Sequence, residues 1–504
     1  VSADTSFSWT VIGDSNGATV DKAATSDIDV LSGTATIAAG ATSTTFDVTA
    51  ANDSLVEGIE GIKVSVFDSN SAALSSDVLL INNSGSSATS QSFSLTTGVN
   101  EFTGGSGNDT FDASTNNSLN DFDVLDGGAG TDTAISAITT IANGKSVTPQ
   151  LSNIEKLQVT NTDVDTDAND DLLTLELSGI SGLTNVSNVA SNEGVTFSNL
   201  GNTVDLEIKS AKNTTTVNYD LAALSGAADS MTITLKGTNS TTIAVTDDGV
   251  AATAASSVLE SVTISSLSVP NTLADLQLDG VATTTLNITG DKRLTLSTAT
   301  DATVAVIDAS GSTGGITLAD ITFASPTVIG SAGADIITAT GAGATESFTM
   351  GGGNDSVDFV NSFTGLDVYD GGDGTDTLIV GTDGFTNAGL SSTVTAGLSN
   401  VEVLSLTAAG TITLESDTSI NTISIGTNTT DQTVNLNDGT VQAYTVNLTG
   451  DTDSDDTINN NSNVTLTVNA YPADIHTDTN VTGSAGTSDV LNLTSLASGE
   501  ADFD

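Results

Sequence analysis

The chain is built from one recurring pattern: four to eight residues in which apolar and polar side chains alternate, closed by glycine, asparagine or aspartate. Examples are MTITLKG (231–237), TTTLNITG (283–290) and TLTVNA (465–470). A period of two places every second side chain on the same face, the signature of a half-buried strand. Windows with the 3.6-residue period of a helix are scarce. Proline occurs only at 149, 270, 326 and 472, and aromatic residues make up 4%, so no strand brings much bulk to a core. Lean strands of this kind suit a solenoid, in which each coil buries a few small apolar residues against its neighbours. The pattern predicts an all-β protein.

Five of the closing turns share a finer pattern: GGSGND (104–109), GGAGTD (127–132), GSAGAD (330–335), MGGGND (350–355) and GGDGTD (371–376). Glycine permits tight turns with positive φ, and aspartate supplies a charged oxygen. The nonapeptide G-G-x-G-x-D-x-U-x belongs to parallel β-helices that bind Ca²⁺, an ion that takes six to eight oxygens. The candidate ligands are Asp109, Asp132, Asp335, Asp355 and Asp376, with the turn glycines Gly105, Gly107, Gly128, Gly130, Gly333, Gly353, Gly372 and Gly374. The apolar U positions, Phe111, Ala134, Ile337, Val357 and Leu378, are expected in a thin core. The turns begin 23 residues apart in the first cluster and 20 and 21 apart in the second. Two nonapeptides make a coil of about 18 residues, so these coils carry small insertions and half-sites stack on one edge. Gly341-Ala342-Gly343 and Gly365-Leu366-Asp367 mark a degenerate opposite edge. A handful of calcium ions, mainly on one side, is expected.

Neighbouring acids have competing readings. Asp126 and Asp370 precede full motifs and either add oxygens or cap the turn. Asp112 and Asp358 follow their strands and are candidates for the opposite edge. Asp489 is displaced by one residue from the motif. Glu155 and Glu402 occupy matching places in a duplicated strand, where a structural hydrogen bond is preferred to metal binding.

Charge narrows the function. There are 63 acidic and 9 basic residues, for a net charge of −54, and the last 211 positions carry no lysine or arginine. Such a field repels nucleic acid and anionic membranes. Ten calcium ions would cancel only about 20 charges, so most acids stay hydrated. With 37% hydrophobic residues the chain is still too apolar for a disordered acidic tail. It has no cysteine, which leaves metal clips as the obvious staple. No apolar run reaches the length of a membrane span. The single histidine, His476, has no nucleophile motif with it, no phosphate loop is present, and Trp9 is the one tryptophan available to stack on a sugar. No enzyme is expected.

From about residue 95 the sequence is duplicated. DVLDGGAGTDT (123–133) returns as DVYDGGDGTDT (367–377), GNDTFD (107–112) as GNDSVD (353–358), and LSNIEKLQVT (151–160) as LSNVEVLSLT (398–407), at offsets of 244, 246 and 247 residues. SSVLESVTIS (256–265) reads as a worn copy of the last segment. GSAGTSDVLNL (483–493) opens what reads as one more cluster, as in a piece of a longer protein. Expected segments are 1–88, 95–327, 328–480 and 481–504.

Two resemblances follow from these residues. GTATIAAGATSTTFDV (33–48) with ANDSLVEGIEGIKVSVFD (51–68) resembles a Calx-β domain, an immunoglobulin-like calcium-binding β-sandwich. Asp53, Glu57 and Glu60 fall on its acidic corner, whereas Asn82-Asn83 replace its closing acidic pair, and its first strand would lie before Val1. The remainder, with its glycine–aspartate turns, LSN[IV]E strands and Thr-rich arrays, resembles RTX-type bacterial surface-layer proteins and other large RTX proteins of the cell surface. That resemblance implies Ca-binding β-roll modules, type I secretion, folding only in external Ca²⁺, and self-assembly into a lattice at the bacterial cell surface. Anionic surface polysaccharide is a further expected partner, held through calcium bridges. An adhesin or biofilm-matrix stalk, or the non-catalytic part of a secreted hydrolase, uses the same coil and is the alternative.

Overall fold

The computed structural model describes residues 1–13, 21–23, 28, 30–48, 58–83, 89–140, 144–163, 171–247, 258–278, 281–300, 304–321, 327–339, 345–360, 363, 366–381, 397–407, 410–414, 419–426, 431–437, 443–448, 456–470, 479–484 and 488–493. Asp53, Glu57, His476, Gly365 and the Gly341–Gly343 turn lie outside the described residues. The fold is nearly all β, with 1% helix, and contains a parallel β-solenoid of about 13 turns. Two compact units divide it, one of residues 1–137, 148–158 and 180–183, the other of the remainder.

The N-terminal sheet comprises β1 (Thr5–Gly13), β2 (Asp21–Lys22), β3 (Ser32–Ile37), β4 (Gly58–Phe67) and β5 (Ala73–Asn83). β1 runs antiparallel to β3 and β4, β5 antiparallel to β4, and the short β2 parallel to β4. Alternation along β1 turns Trp9 and Val11 to one face, where they meet Ala23, Ile28 and Ile62. Phe46 stacks on Trp9 with ring centroids 4.7 Å apart, which accounts for the position of the only tryptophan: it is core. Gly33 lies against the indole, where a Cβ would come within 2.6 Å of it. Among the described residues this region forms one sheet with one covered face.

The strands from Ser92 onward stack as a parallel β-solenoid, the arrangement that coil-on-coil packing requires. A sheet of three strands (101–103, 124–126 and 150–152) accompanies the opening strands 92–94, 110–113 and 133–140 of a 14-stranded sheet. In the second unit the 14-stranded sheet is matched by a 17-stranded one, and four strands from Gly410–Leu414 to Asn480–Thr482 form another. The expected alternation is seen directly: Thr110–Ala113 and Thr377–Val380 each bury their second and fourth residues. All five U positions are buried, with Phe111, Ile337, Val357 and Leu378 at 0% exposure and Ala134 at 2%. Burying such side chains contributes roughly 1.5–3 kcal/mol for each large one, so the fold draws on many small increments rather than one bulky core.

Register makes the turns coincide. Thr327 pairs with Ser347 and Ser347 with Val368, while Ile336 pairs with Ser356 and Ser356 with Thr377. The turns at 330, 350 and 371 therefore lie at successive crossings from the 14-stranded to the 17-stranded sheet. Those at 104 and 127 lie at crossings from the three-stranded to the 14-stranded sheet. The duplicated clusters thus perform one task on different sheets.

Candidate metal centre

Each turn aspartate is tied to the turn in the neighbouring coil through its backbone. In the second cluster the Ile316 amide donates to Asp335 Oδ1 (2.7 Å), the Asp335 amide to Asp355 Oδ1 (2.8 Å), and the Asp355 amide to Asp376 Oδ1 (2.7 Å). The Asp376 amide ends the series on Glu402 Oε2 (3.0 Å). In the first, Gln91 donates to Asp109 (2.7 Å), Asp109 to Asp132 (2.6 Å) and Asp132 to Glu155 Oε2 (2.6 Å). The five aspartates are buried, at 0–1% exposure. The result is a carboxylate ladder whose rungs repeat with the coil.

The turns come in two kinds. In the opening turn of each cluster the second aspartate oxygen is satisfied at home: Gly105 N–H donates to Asp109 Oδ2 (2.6 Å) and Ser331 N–H to Asp335 Oδ2 (2.7 Å). In the later turns Asp132 Oδ2, Asp355 Oδ2 and Asp376 Oδ2 are buried with no hydrogen-bond partner. Backbone conformation follows the same division. Gly128 and Gly130, Gly351 and Gly353, and Gly372 and Gly374 have positive φ, whereas Gly105, Gly107 and Gly333 do not. The left-handed conformation that glycine permits is therefore used in the later turns and not at these three positions. The same division explains why Ser331 is accepted: its position is not left-handed, and its hydroxyl donates to Asp335 Oδ1 (2.7 Å). Close approach adds a second need for glycine, since a Cβ at Gly372 or Gly374 would run into the backbone oxygen of Gly351 or Gly353.

Other expected ligands have different duties. Asp126 and Asp370 cap: their Oδ1 atoms accept from the side-chain amides of Asn153 (2.8 Å) and Asn400 (2.7 Å). Asp112 and Asp358 close local turns by accepting from Ser114 N–H (2.9 Å) and Val360 N–H (2.8 Å). The Ser114 bonds hold the Asp112 carboxyl below its ordinary value. Glu155 and Glu402 make the structural hydrogen bond expected of them. Asp489 repeats the bonding of an opening turn, accepting from Leu466 N–H (2.8 Å) and Ser484 N–H (3.0 Å). Glu60 lies on β4, and its side chain is outside the described groups, as is the whole of Glu57.

Sequence reasoning missed three features. LSN[IV]E is a terminating cap. Asn153 and Asn400 adopt φ of 50° and 52°, their carbonyls abut Gly127 and Gly371, and the glutamate one residue beyond isoleucine or valine takes the last ladder amide. Glu260, in the worn copy, does likewise for the Asp229 amide (2.6 Å). Arg293 was not singled out either. Its guanidinium donates to Ala334 O (2.7 Å), Thr317 Oγ1 (3.1 Å) and Ile316 O (3.3 Å), a tethered cation at the start of the second ladder. Asp123, in the duplicated DV[LY]D segment, is buried and accepts from Asn100 N–H (2.7 Å) and Asn120 N–H (2.8 Å).

Electrostatics make the ladder costly as it stands. Burial, then the charges of Asp335 and Asp376, push the Asp355 carboxyl up to about 7. Burial is also the first cause raising Asp132, Asp335 and Asp376; acidic neighbours add to it at Asp132 and Asp376, whereas the hydrogen bonds from Ser331 and Ile316 and the charge of Arg293 work the other way on Asp335. Among the described residues no three His, Cys, Asp or Glu side chains converge as one metal-binding group. The fit to calcium rests instead on the three partnerless carboxylate oxygens: buried and without a donor, they want a cation or a proton. Asp132, Asp355 and Asp376 are thus the residues suited to hold Ca²⁺.

No family model matches the chain and no curated protein matches it. No helix among the described residues is long and apolar enough to cross a membrane.

Proposed function

We propose that the chain is a secreted structural protein that binds several calcium ions between its stacked turns, folds as it binds them, and self-assembles into a bacterial cell-surface layer. The supporting observation is the pair of ladders: buried aspartate oxygens without a donor, that of Asp132 in the first and those of Asp355 and Asp376 on neighbouring coils of the second. Bound calcium would supply positive charge and open coordination to oxygens that only the coiled chain brings together, so that metal affinity becomes folding free energy. Extracellular calcium modules bind at about 10⁻⁴–10⁻³ M, which suits a chain kept loose by self-repulsion where calcium is low and ordered where it is millimolar. The Calx-β-like segment at 1–88 belongs to this reading as an immunoglobulin-like sandwich. A net charge of −54 suits calcium-bridged contact between copies or to anionic polysaccharide.

Imaging the purified chain with and without calcium tests it. Ordered two-dimensional sheets that dissolve on chelation are the expected result, and isolated particles at every calcium concentration would point to the adhesin-stalk alternative.

A further inference from the structure

The two copies of the duplicated segment differ at one buried pair on the crossing opposite the glycine–aspartate turns. In the first copy Asn100 donates to Asp123 Oδ1 twice, from its backbone N–H (2.7 Å) and its side-chain amide (2.9 Å). The second copy places Glu346 and Asp367 there, 246 and 244 residues on, which are offsets of the duplication itself (346 − 100 and 367 − 123). The backbone bond survives, Glu346 N–H to Asp367 Oδ1 at 2.9 Å. The side-chain donor does not: an amide has become a second carboxylate. Glu346 is 2% exposed and Asp367 1%, and Glu346 Oε2 is buried without a hydrogen-bond partner.

A buried acceptor facing a second acceptor needs positive charge between them. We propose that Glu346 and Asp367 form a cation site separate from the glycine–aspartate ladder, taking a hard divalent ion such as calcium in the place that the Asn100 amide fills in the first copy. Two carboxylates offer oxygens of the type Ca²⁺ prefers, and an ion of that size accepts water or backbone oxygens for its remaining positions. Burial, followed by the Asp367 charge, pushes the Glu346 carboxyl up to about 7, in keeping with a group that lacks its counter-charge. A single divalent ion neutralises both carboxylates, whereas one shared proton leaves a buried negative charge behind. The site stands on its own observation and does not depend on calcium binding at the ladder.

The experiment counts ions bound by the full chain, chelated and then dialysed against calcium alone, with elemental analysis of the protein. Glu346→Asn, which restores the first-copy pair, is expected to bind one ion fewer than the parent, and Asn100→Glu one ion more. The reciprocal variant keeps the test open if Glu346→Asn does not fold. An unchanged count in Glu346→Asn, with only its pH dependence altered, identifies a shared proton and overturns the proposal. Asp376→Asn separates the two readings. If it leaves the count unchanged while Glu346→Asn lowers it, the ladder reading fails and this site stands; the reverse pattern overturns this site alone.

Discussion

Asp355 shows how the turn residues set the chemistry. Both of its oxygens are buried, one takes the Asp335 amide, and the other faces no donor. Without metal its proton is held more tightly in the folded chain than in the unfolded one, so the stability it contributes is complete below the ordinary value of 3.8. That stability is lost as pH rises through about 7. The calcium-free chain should therefore resist urea better at pH 5 than at pH 8. Saturating calcium should reverse the order, because an ion that needs the carboxylate ionised competes with the proton. Urea titrations at the two pH values, with and without calcium, check both signs; Asp355→Asn should flatten the metal-free slope. Tyr369 provides a second handle. Its hydroxyl donates to Thr377 O (3.2 Å), and it feels the charges of Asp376, Asp355, Glu402 and Asp335, whereas the first copy has Leu125 at the matching place. Terbium substituted for calcium should show tyrosine-sensitised emission from the second ladder, and Tyr369→Phe should remove most of it.

The LSN[IV]E strand is the element that ends each ladder, and its glutamate is the part to test. Glu402→Ala would leave the Asp376 amide without its acceptor, a loss of about 1–3 kcal/mol, whereas Glu402→Gln keeps an acceptor and should lose less than half of that; urea midpoints decide. Glu260→Ala should behave similarly through the Asp229 amide, although no motif aspartate stands there. Arg293→Ala would remove both the donor to Ala334 O and the positive charge near Asp335, and should destabilise the second ladder selectively. The coil edges were legible in the sequence because strand pairing fixes the period: Asp335 and Asp355 are 20 residues apart and are joined by a hydrogen bond. The bonding itself was not legible. The partner of each carboxylate is a backbone amide one coil away, and every residue type but proline has one. Arg293 reaches an atom 41 residues ahead, a distance that no local pattern encodes. Nor does a motif glycine announce its φ, so the division into opening and later turns emerged only from the backbone.

For the whole molecule the dominant fact is a net charge of −54 on a chain whose strands carry few large apolar side chains. Each coil contributes little, self-repulsion opposes all of them, and buried carboxylates recur at the turns. Parallel stacking of about 13 turns spreads this conflict along the chain rather than concentrating it in one centre. In the proposed reading divalent ions would relieve it locally, at the rungs, while most surface acids stay hydrated. The apolar alternation accounts for the fold class without reference to metal; the partnerless oxygens of Asp132, Asp355 and Asp376 carry the proposal that folding depends on it. The most direct test is a calcium titration of the chelated full chain followed by far-ultraviolet circular dichroism. A steep transition from disordered chain to β-structure in the millimolar range is expected, shifted to higher calcium by Asp355→Asn and Asp376→Asn together. A full β-spectrum in excess chelator at pH 8, unchanged when calcium is added, would contradict calcium-driven folding outright.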